Sequence, residues 1–168
     1  MDSFATCLVE ACCGGDLDKL KRFVKRFKVT SEDVLDTGAL REVCAVGLLE
    51  IAEWLTNRFN LTAIARDGDY LYDNVLEGLQ EACENGHLDV AKWLVTTFRI
   101  TVNDLSEFGV DNEIFIGACR LGNLGTAQWF ASRFHLGVDC VSFAAYEARA
   151  GGHSAVVEWL TTGLTAAK

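Results

Sequence analysis

The sequence predicts an all-α fold, a helical repeat solenoid of about five helix-turn-helix units with irregular or short-helical connecting loops. Three observations predict it. One frame of residues returns five times along the 168-residue chain. Apolar positions on either side of each frame's glycine fall at helical spacing. Proline is absent, so no helix is interrupted by that residue.

The frame is anchored on Gly15, Gly47, Gly86, Gly122 and Gly152, which lie 32, 39, 36 and 30 residues apart. Four residues before each anchor stand Ala11, Val43, Ala82, Ala118 and Ala148, and three before stand Cys12, Cys44, Cys83, Cys119 and Arg149. Two after come Leu17, Leu49, Leu88, Leu124 and Ser154. Seven after come Arg22, Trp54, Trp93, Trp129 and Trp159, and twelve after come Phe27, Phe59, Phe98, Phe134 and Leu164. Self-similarity at this period marks a repeat architecture, in which no unit buries its apolar face alone and neighbours must cover it. A single domain over 1–168 is expected, with copies at approximately 4–34, 37–66, 75–105, 112–141 and 142–163.

In the first copy the turn leads into LDKLKRFVKRFK, where Arg22 replaces the tryptophan of later copies. A first unit has no predecessor for a tryptophan to contact, so a charge belongs there. The second and fourth copies keep the full register. The third is the sharpest: Leu79, Ala82 and Cys83 precede the Asn85-Gly86 helix stop, and Leu88, Ala91, Val95 and Phe98 share one face after it. The fifth is degenerate at Arg149, Ser154 and Leu164, as terminal units tend to be. A further element follows the second helix: VTSEDV at 29–34, LTAIA at 61–65, ITVNDL at 100–105 and LGVDCV at 136–141. Thr or Ser ahead of Asp at this spacing predicts a capped single turn of helix rather than a strand.

Alanine, cysteine, two further positions, glycine, histidine, leucine and then Val-Ala-Lys-Trp-Leu, all within Ala82–Leu94, resemble the centre of an ankyrin repeat. The resemblance covers all five copies, roughly Phe4 to Gly163. It is closest to the diverged ankyrin-like arrays common in protists and in large DNA viruses of amoebae. The Thr-Pro-Leu-His opening and the Gly-Ala-Asp-x-Asn hairpin segment of ordinary ankyrin repeats are both missing. The resemblance therefore implies L-shaped stacking of the helices, with a short helix or an irregular loop in place of the hairpin fingers.

Composition narrows the function classes. Half the residues are apolar and 23% are charged, a globular balance. The net charge of −9 disfavours nucleic acid as a partner for the whole surface. Residues 1–28 hold six basic and four acidic groups, whereas the rest hold nine and twenty. No apolar run reaches the roughly 20 residues that span a bilayer, and no signal peptide is evident at the start, so no membrane partner is expected. Seven cysteines without a secreted disulfide spacing point to a reducing compartment, cytoplasm or nucleus, or the host cytoplasm for a viral chain.

No catalytic residue, metal ligand or cofactor is expected. One cysteine per repeat would place thiols in a line about 10 Å apart, not on the tetrahedron zinc requires. His87 and His153 sit beside turn glycines without visible partners for acid–base work. Gly14-Gly15 runs into Asp-Leu-Asp, which repels rather than cradles phosphate. The Asp cluster at 67–73 lacks the spacing and distal Glu of a calcium loop.

Two surfaces remain as candidates. One is a basic patch, Lys19, Lys21, Arg22, Lys25, Arg26 and Lys28, suited to an acidic or phosphate-bearing partner. The other is an acidic loop edge carrying aromatic anchors: Asp67, Asp69, Tyr70, Tyr72 and Asp73, then Glu107, Phe108, Asp111 and Asn112, with Glu113 beside them. The expected function is a non-enzymatic protein–protein interaction module using that edge and the first helices. The competing expectation is a structural, self-associating scaffold built through the imperfect terminal repeat.

Overall fold

A computed structural model describes the backbone of residues 3–67, 69–108, 110–134 and 136–163. Side chains are described for these except at 3, 66, 67, 69–73, 108, 138 and 163. The chain is all-helical, with no strand among the described residues. None of these helices is long and apolar enough to cross a membrane.

Each copy of the frame folds as two helices about its glycine. The first helices are α1 (Ser3–Cys13), α4 (Ala39–Val46), α7 (Asp69–Glu84), α10 (Asp111–Arg120) and α12 (Val138–Ala150). Their partners are α2 (Leu17–Phe27), α5 (Leu49–Phe59), α8 (Leu88–Thr97), α11 (Leu124–Arg133) and α13 (Ser154–Glu158), the last continuing into a π-helical turn at Trp159–Gly163. Between pairs lie α3 (Ser31–Asp36), α6 (Leu61–Asp67) and α9 (Val102–Phe108). The first helices pack in chain order, α1 on α4, α4 on α7, α7 on α10 and α10 on α12, and each also packs on its own partner.

The glycines make the reversals. Gly15, Gly47, Gly86, Gly122 and Gly152 all adopt left-handed backbone, with φ between 73° and 81°. At the last four turns the residue after the glycine donates its N–H back across the helix end, as in Leu48 to Val43 (3.1 Å) and His87 to Ala82 (2.8 Å). The glycine itself donates to the intervening cysteine or Arg149 carbonyl, completing a paired helix stop that a left-handed residue makes possible.

The small residues just before each turn let the first helices approach closely. Cys12, Val43, Cys44, Ala82, Cys83, Ala118, Cys119 and Ala148 are fully buried. A Cβ on Gly78 would lie 3.6 Å from the Arg41 backbone and from the Cys44 side chain, so α7 lies tightly over α4. Larger side chains fill the space between first and second helices: Leu8, Leu20, Leu55, Leu79, Leu94, Phe115 and Phe130 are all fully buried. Each such burial contributes about 1.5–3 kcal/mol.

The connecting elements are short helices, and capping sets two of them, α3 and α9. Thr30 and Asp33 form a reciprocal capping box at α3, in which the Asp33 N–H donates to Thr30 Oγ1 (3.2 Å) and the Thr30 N–H donates to Asp33 Oδ2 (2.8 Å). Thr101 and Asp104 repeat it at α9, with the Thr101 N–H donating to Asp104 Oδ2 at 2.6 Å. The fourth element departs from expectation. Its LGVDCV segment lacks the Thr/Ser cap and runs without a break into α12, so the last helix pair opens at Val138 rather than at residue 142.

Candidate interaction surface

The acidic edge read as loop is helical. Of the described residues, 65–67 fall in α6 and 69–74 in the opening turns of α7, while 106–108 fall in α9 and 111–113 in the first turn of α10. Carboxylates in a first helical turn complement the positive end of the helix dipole, as at the start of α10, whereas Glu107 stands in the last turn of α9. Asp111 and Glu113 occupy the first turn of α10, where Asp111 Oδ1 accepts the Asn112 N–H at 2.9 Å. Glu107, Asn112 and Glu113 are exposed and Asp111 is half-buried. The side chains of Asp67, Asp69, Tyr70, Tyr72, Asp73 and Phe108 lie outside the described residues.

The basic helix is a solvent-facing surface. Lys19, Lys21, Arg22, Lys25, Arg26 and Lys28 are all exposed, while Leu20 and Val24 of the same helix are buried. Asp16 caps the helix by accepting the Lys19 N–H at 2.8 Å, and Asp18 holds Lys21 at 3.7 Å. Phe4, Phe23 and Phe27 cluster beneath, with Phe27 half-exposed under the Arg26 guanidinium, 5.6 Å from its ring centre.

A third surface, absent from the sequence reading, lies across the first helices. A groove of about 340 Å³ is lined by Gln80 and Glu84 of α7, Glu113, Ile116, Gly117 and Arg120 of α10, and Phe143 and Glu147 of α12. Arg120 reaches Glu84 at 3.4 Å, and the Gln80 amide donates to Glu84 at 2.9 Å. Beside the groove Phe143 and Tyr146 stack with ring centres 6.3 Å apart, yet are 52% and 63% exposed. Glu113 is the one residue of the anticipated acidic edge that this groove includes. The sequence does carry a signal for the aromatic pair. Cys140, Ala144 and Ala148 fall four apart and are buried, so large rings at 143 and 146 lie off that core stripe.

A smaller recess of about 300 Å³, lined by Leu35, Asp36, Thr37, Gly38, Arg41, Asn74 and Glu77, lies between α3, α4 and α7. Arg41 joins two helices there, bonded to Glu42 at 2.8 Å and to Glu77 at 3.0 Å.

The repeated polar residues serve packing. Cys12, Cys44, Cys83 and Cys119 are fully buried, and burial pushes all four thiols up, to about 12 for Cys12, Cys44 and Cys119. Such thiols stay protonated, whereas nucleophilic attack and metal ligation both need thiolate. Among the described residues no three of His, Cys, Asp or Glu converge to hold a metal ion. His87 and His153 pack over the turn glycines of the preceding copy, Gly47 and Gly122.

Three tryptophans meet a phenylalanine of their own copy, whereas Trp159 meets Phe115 of the preceding copy at 6.2 Å. Trp54, Trp93 and Trp129 meet Phe59, Phe98 and Phe134 edge-on, at 6.3, 6.1 and 6.3 Å. Five positions separate each pair, with the phenylalanine at or just past the last residue of its helix.

The chain matches no protein-family model and no curated protein.

Proposed function

We propose that the chain is an ankyrin-like solenoid and a non-enzymatic protein–protein interaction module that recognises its partner through the face of its first helices. The groove flanked by the exposed Phe143–Tyr146 pair carries this reading. Stacked aromatics among carboxylates supply contact area at small entropy cost, and Glu113, Glu147 and Glu84 steer a basic or mixed partner. Repetition of the frame supports the solenoid: four first-helix contacts recur in chain order, and each turn glycine but the last lies near the turn of the next copy. A reducing setting, cytoplasmic or nuclear, belongs to the same proposal.

Affinity capture from the source cell or its host, read by mass spectrometry, tests it. Wild type runs beside Phe143→Ala/Tyr146→Ala, Tyr70→Ala/Tyr72→Ala/Phe108→Ala and Lys25→Glu/Arg26→Glu. A partner lost only with Phe143→Ala/Tyr146→Ala supports recognition through the first-helix face. Loss confined to the second variant moves recognition to the acidic edge, and loss confined to the third moves it to α2. Recovery of the chain alone favours the self-assembling scaffold.

A further inference from the structure

The second helices meet less closely than the first, and between α8 and α11 they leave an open cleft of about 540 Å³. Its floor is apolar, formed by the buried Val95 and Ile100 and the half-buried Trp129. Its walls carry Lys92, Arg99 and Arg133, all exposed. Among the described residues none of the three is held in an ion pair, whereas Lys21, Arg41 and Arg120 each are. Arg133 lies instead over its own Phe134 ring, at 5.6 Å. Three cations with no ion-pair partner among the described residues thus surround an aromatic floor in a chain of net charge −9.

Stacking does not require those cations. Counted from the turn glycines, the preceding cleft has Glu53, Asn60 and Thr97 where this one has Lys92, Arg99 and Arg133, around Trp93 in place of Trp129. The frame accepts a carboxylate, an amide and a hydroxyl at these positions without losing its helices. The first cleft has Lys21, Lys28 and Arg58 at the same registers, but there Lys21 is held by Asp18.

We propose that the cleft between α8 and α11 docks an acidic peptide segment of a protein partner, with its carboxylates on Lys92, Arg99 and Arg133 and an apolar side chain on Trp129. Guanidinium forks match carboxylates in two-point geometry, and the floor supplies the apolar contact that free anions lack. The cleft is open rather than enclosed, and small-molecule sites bury most of their ligand. An extended chain suits such a trough better. This site is separate from the first-helix groove and stands whether or not that face is used.

Panning a random decapeptide phage library on the whole chain tests the proposal, in parallel with a variant that imports the neighbouring cleft, Lys92→Glu/Arg99→Asn/Arg133→Thr. Circular dichroism establishes that the variant is folded. Enriched wild-type peptides should be rich in Asp and Glu around an aromatic or aliphatic residue. As fluorescein-labelled synthetic peptides they should lose at least tenfold in affinity on the variant by anisotropy, and weaken as salt rises. Lys28→Asn/Arg58→Thr, the matched change in the first cleft, should leave binding unchanged. Failure to enrich acidic peptides, retention by the folded variant, or an equal loss in the first-cleft control would each overturn it.

Discussion

The imidazole of His87 packs against Gly47 so closely that a Cβ on that glycine would collide with three of its ring atoms. His153 meets Gly122 in the same way, and the Asn123 amide occupies the corresponding place over Gly86. Asn123 also donates from its side chain to the Glu84 carbonyl, tying one turn to the end of the preceding first helix. The turns are therefore stacked on one another, and the glycine is needed twice, for its left-handed backbone and for the absence of a side chain.

Substitution at these turns separates the two needs. Gly152 has the same backbone, φ 77°, but nothing within 4 Å of an added Cβ. Gly152→Ala should cost only the left-handed penalty, roughly 1–2 kcal/mol. Gly47→Ala adds a collision of the overpacking kind, so about 2–4 kcal/mol in all is expected. His87→Ala should recover part of the excess in the double variant. Urea unfolding of the four chains reads this, and equal losses at Gly47 and Gly152 would deny the turn-on-turn contact.

The other helix ends show the reverse economy. Lys28, Asn60 and Arg99 share one register, thirteen residues after a turn glycine, and all three are left-handed, with φ 53°, 53° and 56°. Val29 and Ile100 donate back to Val24 and Val95 at 3.1 and 3.0 Å, the bond pattern that usually carries glycine. Lys28→Gly should therefore stabilise the fold by up to about 1 kcal/mol. Asn60→Gly should gain less, because asparagine tolerates this conformation. Thermal or urea denaturation decides it, and a loss at Lys28 would mean that its side chain contributes more than the strain removes.

These residues also show what the sequence can carry. Helix pairs and turns are readable because both depend on local rules, apolar spacing and a glycine at the stop. The short helices α3 and α9 are readable from Thr30-Asp33 and Thr101-Asp104, since a capping box is complete within four residues. The Trp54–Phe59 contact is harder to see, because residues five apart on a helix stand about 140° apart around its axis. The stacking of His87 on Gly47 is harder still, because it depends on how far successive copies shift. Phe143 and Tyr146 can be assigned to the surface only once Cys140, Ala144 and Ala148 define the buried stripe. The cleft cations, scattered over 92, 99 and 133, converge only through packing of α8 beside α11.

Alkaline pH should weaken the fold through its core thiols. Burial raises Cys44 to about 12, while an unfolded thiol ionises at about 8.5. The unfolded chain therefore releases the proton first, and stability present below pH 8 falls as pH rises toward 12. Each such thiol contributes a slope of about 1.4 kcal/mol per pH unit inside that window. Cys44→Ala should unfold more easily at pH 7 but lose less between pH 9 and 10.5 than the parent chain. Parallel slopes in urea unfolding would show that Cys44 remains as ionisable folded as unfolded.

Two buried threonines predict opposite responses to the same substitution. Thr126 is 2% exposed and donates its hydroxyl to the carbonyls of Cys83 (3.1 Å) and Asn123 (2.9 Å), so it joins α11 to the end of α7. Thr56 is 3% exposed, and its hydroxyl has no hydrogen-bond partner among the described residues. A buried unsatisfied polar group costs about 1–3 kcal/mol, whereas a satisfied one contributes about 0.5–1.5. Valine has nearly the shape of threonine, and the frame already places Val24 and Val95 at the register of Thr56. Thr56→Val should therefore stabilise by about 1 kcal/mol, and Thr126→Val should destabilise by a similar amount because the Cys83 carbonyl loses its donor. Urea midpoints at unchanged m-value are the measurement. Destabilisation by Thr56→Val would mean that its hydroxyl finds a partner in solution, such as a buried water, that offsets its burial.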